Sequence, residues 1–210
     1  MDSRLYREIN RFAVHTAWAH PVMKAFAVYA VGLFAVLLVL AWWYARRAED
    51  SPRAVAATVW TAGAMIVGLG LNQLVGHAVD RARPYATLSG VEVLVSRSHD
   101  VSFPSDHSVA AGAGAAGLWV VAHYAGKATH RIAIVGTVLA VLVAFSRVYV
   151  GAHYPGDVVG GLALGAAVTL IGWLIFNRPL TYLARWMAGP QILRPLVSAS
   201  EQHEHQAQTV

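Results

Sequence analysis

Five apolar runs constrain this chain more than anything else in it. They lie at residues 24–44, 54–79, 105–124, 132–145 and 157–176, the fourth extending into Ser146-Arg147. A helix rises 1.5 Å per residue, so about 20 apolar residues cross a hydrocarbon core of about 30 Å. Trp42-Trp43-Tyr44 close the first run as an interfacial aromatic belt. Hydrophobic residues make up 57% of the 210-residue chain and charged ones 13%, about half the charged share of a soluble domain. The expected fold class is therefore an all-α membrane protein: a bundle of about five transmembrane helices plus an N-terminal interfacial helix, in one domain spanning 1–210.

Residues 1–20 are amphipathic. Leu5, Ile9, Phe12 and Ala13 share a helical face, with Arg4, Arg7 and Arg11 largely elsewhere. That pattern fits a helix lying on the membrane, against the plainer reading of a frayed polar terminus. No small-residue cleavage site follows, so a cleaved leader is not expected. The absence of cysteine excludes disulfides and thiolate metal sites. The net charge of +5 is scattered; nucleic acid would need a clustered basic face, whereas basic groups at apolar ends suit anionic headgroups. Residues 195–210 read as a disordered tail, and the His203/His205 pair within it as solvated rather than metal-binding.

Span counting brings the polar segments together. The end of span two, the start of span three and the link between spans four and five fall on one membrane side, with the N-terminus. That side carries Arg4, Arg7, Arg11, Lys24, Arg81, Arg83, Arg97 and Arg147; the other carries Arg46, Arg47, Arg53, Lys127, Arg131, Arg178, Arg185 and Arg194. The tie of 8 against 8 becomes 5 against 8 if Arg81, Arg83 and Arg147 serve chemistry. The positive-inside tendency then places the polar face outside the cytoplasm, in a multi-pass protein of the cell membrane.

Three motifs occupy that face. Ser146-Arg147, five residues, His153, three residues, Asp157 sets a guanidinium, an imidazole and a carboxylate between two apolar runs. Ionisable groups at a membrane boundary are costly and usually functional. His153 reads as a nucleophile whose other ring nitrogen is held by Asp157, and Arg147 as an anion clamp. The plainer reading is an interfacial histidine followed by a helix-capping aspartate. In Pro104-Ser105-Asp106-His107, the free N–H groups of a helix start face an anion and His107 supplies a proton, with Asp106 beside it. Arg81-Ala82-Arg83-Pro84 ends span two; its two arginines also complement a helix C-terminus. Asn72, Gln73 and His77 make that end of the span face protein or water. The loop 85–104 is long enough to expect a functional role, and Ala110 to Gly117 with the glycines of span five form small-residue faces for close helix packing.

Arg83-Pro84, then PSDH, then S-R-x5-H-x3-D resembles the type 2 phosphatidic acid phosphatase superfamily over roughly residues 54–176. The resemblance implies a metal-independent membrane phosphatase without a cofactor. His153 attacks phosphorus, Asp157 orients it, and His107 protonates the leaving oxygen and then activates water. Arg83, Arg147, Ser146 and the Ser105–Asp106 region bind phosphate. The family's first motif carries a Lys seven residues before the Arg; here that position is Gly76, and Arg81, or else His77, is expected to replace it. PSDH in a small chain resembles the undecaprenyl diphosphate phosphatases of bacitracin resistance, implying a polyprenyl diphosphate converted to the monophosphate on the extracytoplasmic face. Phosphatidic acid, phosphatidylglycerol phosphate and other prenyl phosphates are alternative substrates. A non-catalytic lipid-binding or transport relative is the alternative of another class; the intact His107 and His153 speak against it. Oligomeric state and the role of loop 85–104 stay open.

Overall fold

The expected apolar runs all become helix in the computed structural model, which describes residues 1–199. In chain order the helices are α1 (Asp2–His15), α2 (His20–Tyr29), α3 (Leu33–Ala45), α4 (Ser51–Val79), α5 (Pro84–Thr87), α6 (Asp106–Ala125), α7 (Lys127–Tyr149), α8 (Pro155–Met187) and α9 (Arg194–Val197). Five stretches are long and apolar enough to cross a membrane: Ala17–Ala45, Ser51–Thr87, Asp106–Ala125, Lys127–Tyr149 and Pro155–Met187. No strand occurs among the described residues. Over the described residues the protein is an all-helical membrane protein of five spans preceded by the amphipathic α1.

Local chemistry sets the helix ends. Proline sits in the first turn of α4, α5 and α8, where a missing N–H costs nothing. Asp80 ends α4 in the left-handed region (φ 47°), its N–H returning to the Gly76 carbonyl at 2.8 Å; aspartate tolerates that region better than most residues.

Helix α6 is the centre of the bundle, packed on α4, α7 and α8. The small-residue face read from the sequence works by backbone approach. A Cβ on Gly112 would stand 2.3 Å from the Leu162 carbonyl oxygen, and one on Gly165 would stand 2.0 Å from that of Val109. Helices α6 and α8 thus touch main chain to main chain, which only glycine permits.

Several boundaries differ from the sequence expectation. The first span is two helices, α2 and α3, joined by a 3₁₀ turn at Ala30–Gly32. The fourth begins earlier, at Lys127, and ends later, at Tyr149; its extension through Ser146-Arg147 is as expected, so the arginine of the third motif belongs to a helix end. The fifth runs past Pro179 to Met187. Pro179 interrupts the hydrogen-bond ladder, and the Asn177 amide donates back to the Trp173 and Leu174 carbonyls near the break. Residues 195–199 were expected in a disordered tail. Instead α9 folds back: Val197 is buried in the core and the Ala199 N–H donates to the Arg46 carbonyl at 2.8 Å. His203 and His205 lie outside the described residues.

Helix α1 lies across the end of the bundle that carries the motifs. Tyr6, Asn10 and Ala13 are buried, while Leu5 and Phe12 stay exposed on the apolar side. Tyr6 packs on Tyr154 with ring centroids 5.5 Å apart and donates to the Gly151 carbonyl. The Asn10 side chain makes a two-point contact with the Glu92 main chain, at 2.8 and 2.9 Å. The terminus is therefore docked, and it pins the long loop beneath it.

Candidate active site

The three motifs converge at one end of the bundle, as span counting required. His153 lies in the short link between α7 and α8, 3% exposed. Its Nδ1 is 2.7 Å from the Ser102 carbonyl oxygen. A carbonyl only accepts, so Nδ1 carries the proton and Nε2 is left with its lone pair. Nε2 is directed at the Arg83 guanidinium, 3.5 Å away. The second ring nitrogen is thus free to act as a nucleophile towards whatever anion the arginines hold.

This corrects the expected role of Asp157. Its nearest oxygen is 3.9 Å from His153 Nδ1, too far for a hydrogen bond. The carboxylate, fully buried, is already satisfied: Oδ2 accepts from the Tyr154 N–H at 2.8 Å and the Ser102 hydroxyl at 2.5 Å, and Oδ1 accepts from Arg81 at 2.6 Å. At the third position of α8 it caps the helix start, as the plainer reading had it. It reaches His153 through Ser102, holding the hydroxyl of the residue whose carbonyl holds the imidazole. Sequence reasoning missed Ser102, which no motif contains. Its place is set by the loop, whose Ser102 N–H donates to the Arg81 carbonyl at 2.7 Å.

Arg81, or else His77, was expected to replace the missing lysine, and neither is arranged to. Arg81 is committed to two carboxylates, Asp157 and Asp2, at 2.6 Å each, and stacks over Tyr154 at 4.1 Å. His77 is exposed and bonds its own helix at the Gln73 carbonyl. Gly76 itself is buried; a Cβ there would meet the Val101 side chain at 2.9 Å and the Phe103 carbonyl at 3.4 Å. The loop fills the space that a longer side chain would need. Asp2 is the second residue missed: its carboxylate also accepts from the Gly156 N–H at 2.9 Å, occupying the α8 N-terminus.

Arg83 and Arg147 do stand beside His153, Arg83 at 3.5 Å from its Nε2 and Arg147 near enough to act on it by charge. Arg83 is steadied by the Asp100 carbonyl on Nε at 3.0 Å. Arg147, 8% exposed, donates through Nη1 to the Ala27 carbonyl at 3.1 Å, while its Nε is buried with no partner among the described residues. Burial above all, then the Arg147 and Arg83 charges, hold His153 well below the usual imidazole range, against the opposing pull of the Ser102 carbonyl. His153 is therefore neutral at neutral pH. His107, half-buried in the first turn of α6, lies within electrostatic reach of both arginines and against the Val28 carbonyl.

The start of α6 is unusually open to an anion. Ser105 is fully buried at the N-cap, yet among the described residues its Oγ has no partner and no side chain caps the first turn; the Ser108 hydroxyl is equally unpartnered among them. Buried polar groups are rarely left so. Asp106 points to α4, accepting from Asn72 at 2.6 Å and Gln73 at 3.4 Å. Ser146 turns its hydroxyl back to the Val143 carbonyl at 2.7 Å, away from the role of anion ligand expected of it. The converging set is His153, His107, Arg83, Arg147 and the Ser105 end of α6. It offers one neutral nucleophilic nitrogen, one second imidazole for proton transfer, and two fixed cations beside free hydroxyls.

The family model described as the PAP2 superfamily matches residues 57–180. Undecaprenyl-diphosphatase BcrC of Bacillus subtilis (strain 168) is 27% identical over 177 residues, covering 84% of this chain and 83% of the relative. The crystal structure of a transmembrane PAP2 type phosphatidylglycerolphosphate phosphatase from Bacillus subtilis superposes with a TM-score of 0.61 at 24% identity, over 83% of this chain and 86% of that one. That of Aquifex aeolicus LpxE superposes at 0.52 with 25% identity, over 81% and 93%.

Proposed function

Because this chain belongs to the PAP2 superfamily and is a lipid phosphatase of that type, we propose that it hydrolyses a polyprenyl diphosphate, undecaprenyl diphosphate foremost, to the monophosphate through a phosphohistidine at His153. The observation that carries the mechanism is the Ser102 carbonyl on His153 Nδ1, which leaves Nε2 unprotonated and directed at Arg83. Nε2 attacks the terminal phosphorus; the N–P bond forms as the bridging P–O bond breaks. His107 gives its proton to the departing lipid monophosphate. Water, deprotonated by His107, then attacks the phosphohistidine, releasing inorganic phosphate and restoring both imidazoles. Arg83, Arg147, the Ser105 hydroxyl and the first-turn N–H groups of α6 meet the charge on the phosphoryl oxygens, the main work in phosphoryl transfer.

The similarity to BcrC across most of both chains supports the diphosphate substrate. An extracytoplasmic active face, in a cell-membrane protein, is supported by the charge count. Arg81, Arg83 and Arg147 all sit in the site's own network, so 5 basic residues against 8 remain to set topology.

The test is phosphate release by the purified protein, with chelator present, from polyprenyl diphosphate, phosphatidic acid and phosphatidylglycerol phosphate. Polyprenyl diphosphate is expected to give the highest kcat/KM. His153→Ala is expected to abolish turnover, and acid-labile label is expected on wild type after a quench. Preference for a glycerolipid would overturn the substrate; activity without His153 would overturn the mechanism. A C-terminal reporter that reads extracytoplasmic would overturn the topology.

A further inference from the structure

A second polar cleft lies at the opposite end of the bundle. Arg53, Asn177, Arg178, Thr181, Tyr182 and Arg185 line a cavity of about 310 Å³ between α4 and the last turns of α8. Arg53 is in the first turn of α4 and the others in the final third of α8. Both helices have their other ends at the histidines, so this cleft faces the other leaflet. Helix α8 has 33 residues, about 50 Å of helix against a core of about 30 Å. Its segment 177–185 therefore stands at headgroup depth.

The lining is rich in cations. Three guanidiniums meet a single carboxylate in ion-pair range among the described residues, Asp50, and that at 3.9 Å from Arg185. Arg53 lies over the Tyr124 ring at 4.9 Å, which fixes its guanidinium without neutralising it. The Thr181 side chain is buried, 7% exposed, and its Oγ1 has no hydrogen-bond partner among the described residues. A threonine in a helix usually returns its hydroxyl to the carbonyl four residues back. Here that hydroxyl is spare, in the wall of a cavity ringed by arginines.

We propose that this cleft binds the phosphate of an anionic phospholipid from the leaflet opposite the catalytic face. Guanidiniums pair with phosphate through parallel N–H donors, and basic pockets between transmembrane helices are suited to lipid headgroups. The cleft is separate from the His153 site and takes no part in the hydrolysis.

The experiment uses full-length protein in nanodiscs of phosphatidylcholine, with and without phosphatidylglycerol, read by thermal unfolding. Wild type is expected to gain about 3 °C with phosphatidylglycerol. His153→Ala is expected to gain as much, which separates the cleft from the active site. Arg178→Gln/Arg185→Gln, and independently Thr181→Val, should lose most of the gain. Lys127→Gln/Arg131→Gln removes the same charge from the same face outside the cleft and should keep it. Equal loss in both charge variants means surface electrostatics only, and overturns the proposal. So does a gain in every cleft variant, or an equal gain from inorganic phosphate added to phosphatidylcholine discs, which would assign the cleft to a soluble anion.

Discussion

Arg81 Nη1 donates to Asp157 Oδ1 at 2.6 Å while Nη2 donates to Asp2 Oδ2, also at 2.6 Å. One guanidinium thus ties the N-terminal helix to the carboxylate behind the Ser102–His153 pair. The arrangement makes Arg81 a positioning residue, and a kinetic split distinguishes that from a phosphate clamp. Arg81→Ala is expected to lower kcat about tenfold with KM little changed, because Asp157 loses its cation and the Ser102–His153 pair loses its support. A clamp would instead show mainly in KM. The variant should also lose about 2 kcal/mol, the scale of a charged hydrogen bond, seen as a lower Tm. Asp2→Asn should move kcat in the same direction by less, and Asp2→Glu should partly restore it. A rise in KM alone would sink this assignment.

The depressed His153 sets the acid side of the pH profile. Burial and the flanking Arg147 and Arg83 charges keep the folded imidazole neutral well below the usual range. As the nucleophile proposed above, it stays competent at mildly acidic pH, and kcat/KM should not decline where an ordinary histidine of pKa about 6.5 titrates. Arg147→Gln removes a cation and should move any His153-controlled limb upward in pH. The same shift predicts stability by linkage. Above about pH 6.5 neither state binds the proton; as pH falls from there through the folded pKa, only the unfolded chain binds it, and stability is lost. Denaturation of wild type and His153→Ala from pH 8 to 5 checks this: the wild type should lose more.

Much of the architecture was legible because it rests on run length and counting. Five spans and one convergent face follow from where the apolar stretches begin and end. What failed depended on contacts distant in sequence. The four-residue spacing of His153 and Asp157 fits both a direct hydrogen bond and a capping role. Ser102 decides between them, and its position depends on how loop 85–104 folds. Asp2 reaches a partner 154 residues away at Gly156, with nothing local to signal it. Gly76 looked like a missing charge; buried under Val101, it marks where the loop lies down. The break at Ala30–Gly32 was hidden inside an uninterrupted apolar run.

Tyr6 offers an alkaline counterpart to His153. Burial, then the charge of Tyr154, pushes its phenol up to about 12. Between about pH 10 and that value the unfolded phenol ionises and the folded one does not, so stability should fall as pH rises through this window. Tyr6→Phe should cost about 1 kcal/mol at neutral pH through the lost bond to Gly151, and should flatten the alkaline decline. Unfolding measured from pH 8 to 11 tests both; a parallel decline in the variant would assign it to another group.

The last expectation concerns the α6–α8 contact that carries Ser105 and Asp157 side by side, the Ser105 N–H donating to the Asp157 carbonyl at 3.2 Å. A Cβ on Gly165 would stand 2.0 Å from the Val109 carbonyl oxygen and 2.7 Å from the Ala113 nitrogen. Neither atom can swing aside, since both are main chain of the facing helix. Gly165→Ala must therefore separate the helices, at a cost of about 3 kcal/mol or more. The separation also moves the anion-facing end of α6 away from His153. Activity should fall in the fraction that still folds, with kcat and KM both worsened. Gly63→Ala is the control, because nothing lies within 4 Å of its added Cβ; it should match wild type in Tm and turnover. Equal behaviour of the two variants would show that the backbone contact does not hold the site together.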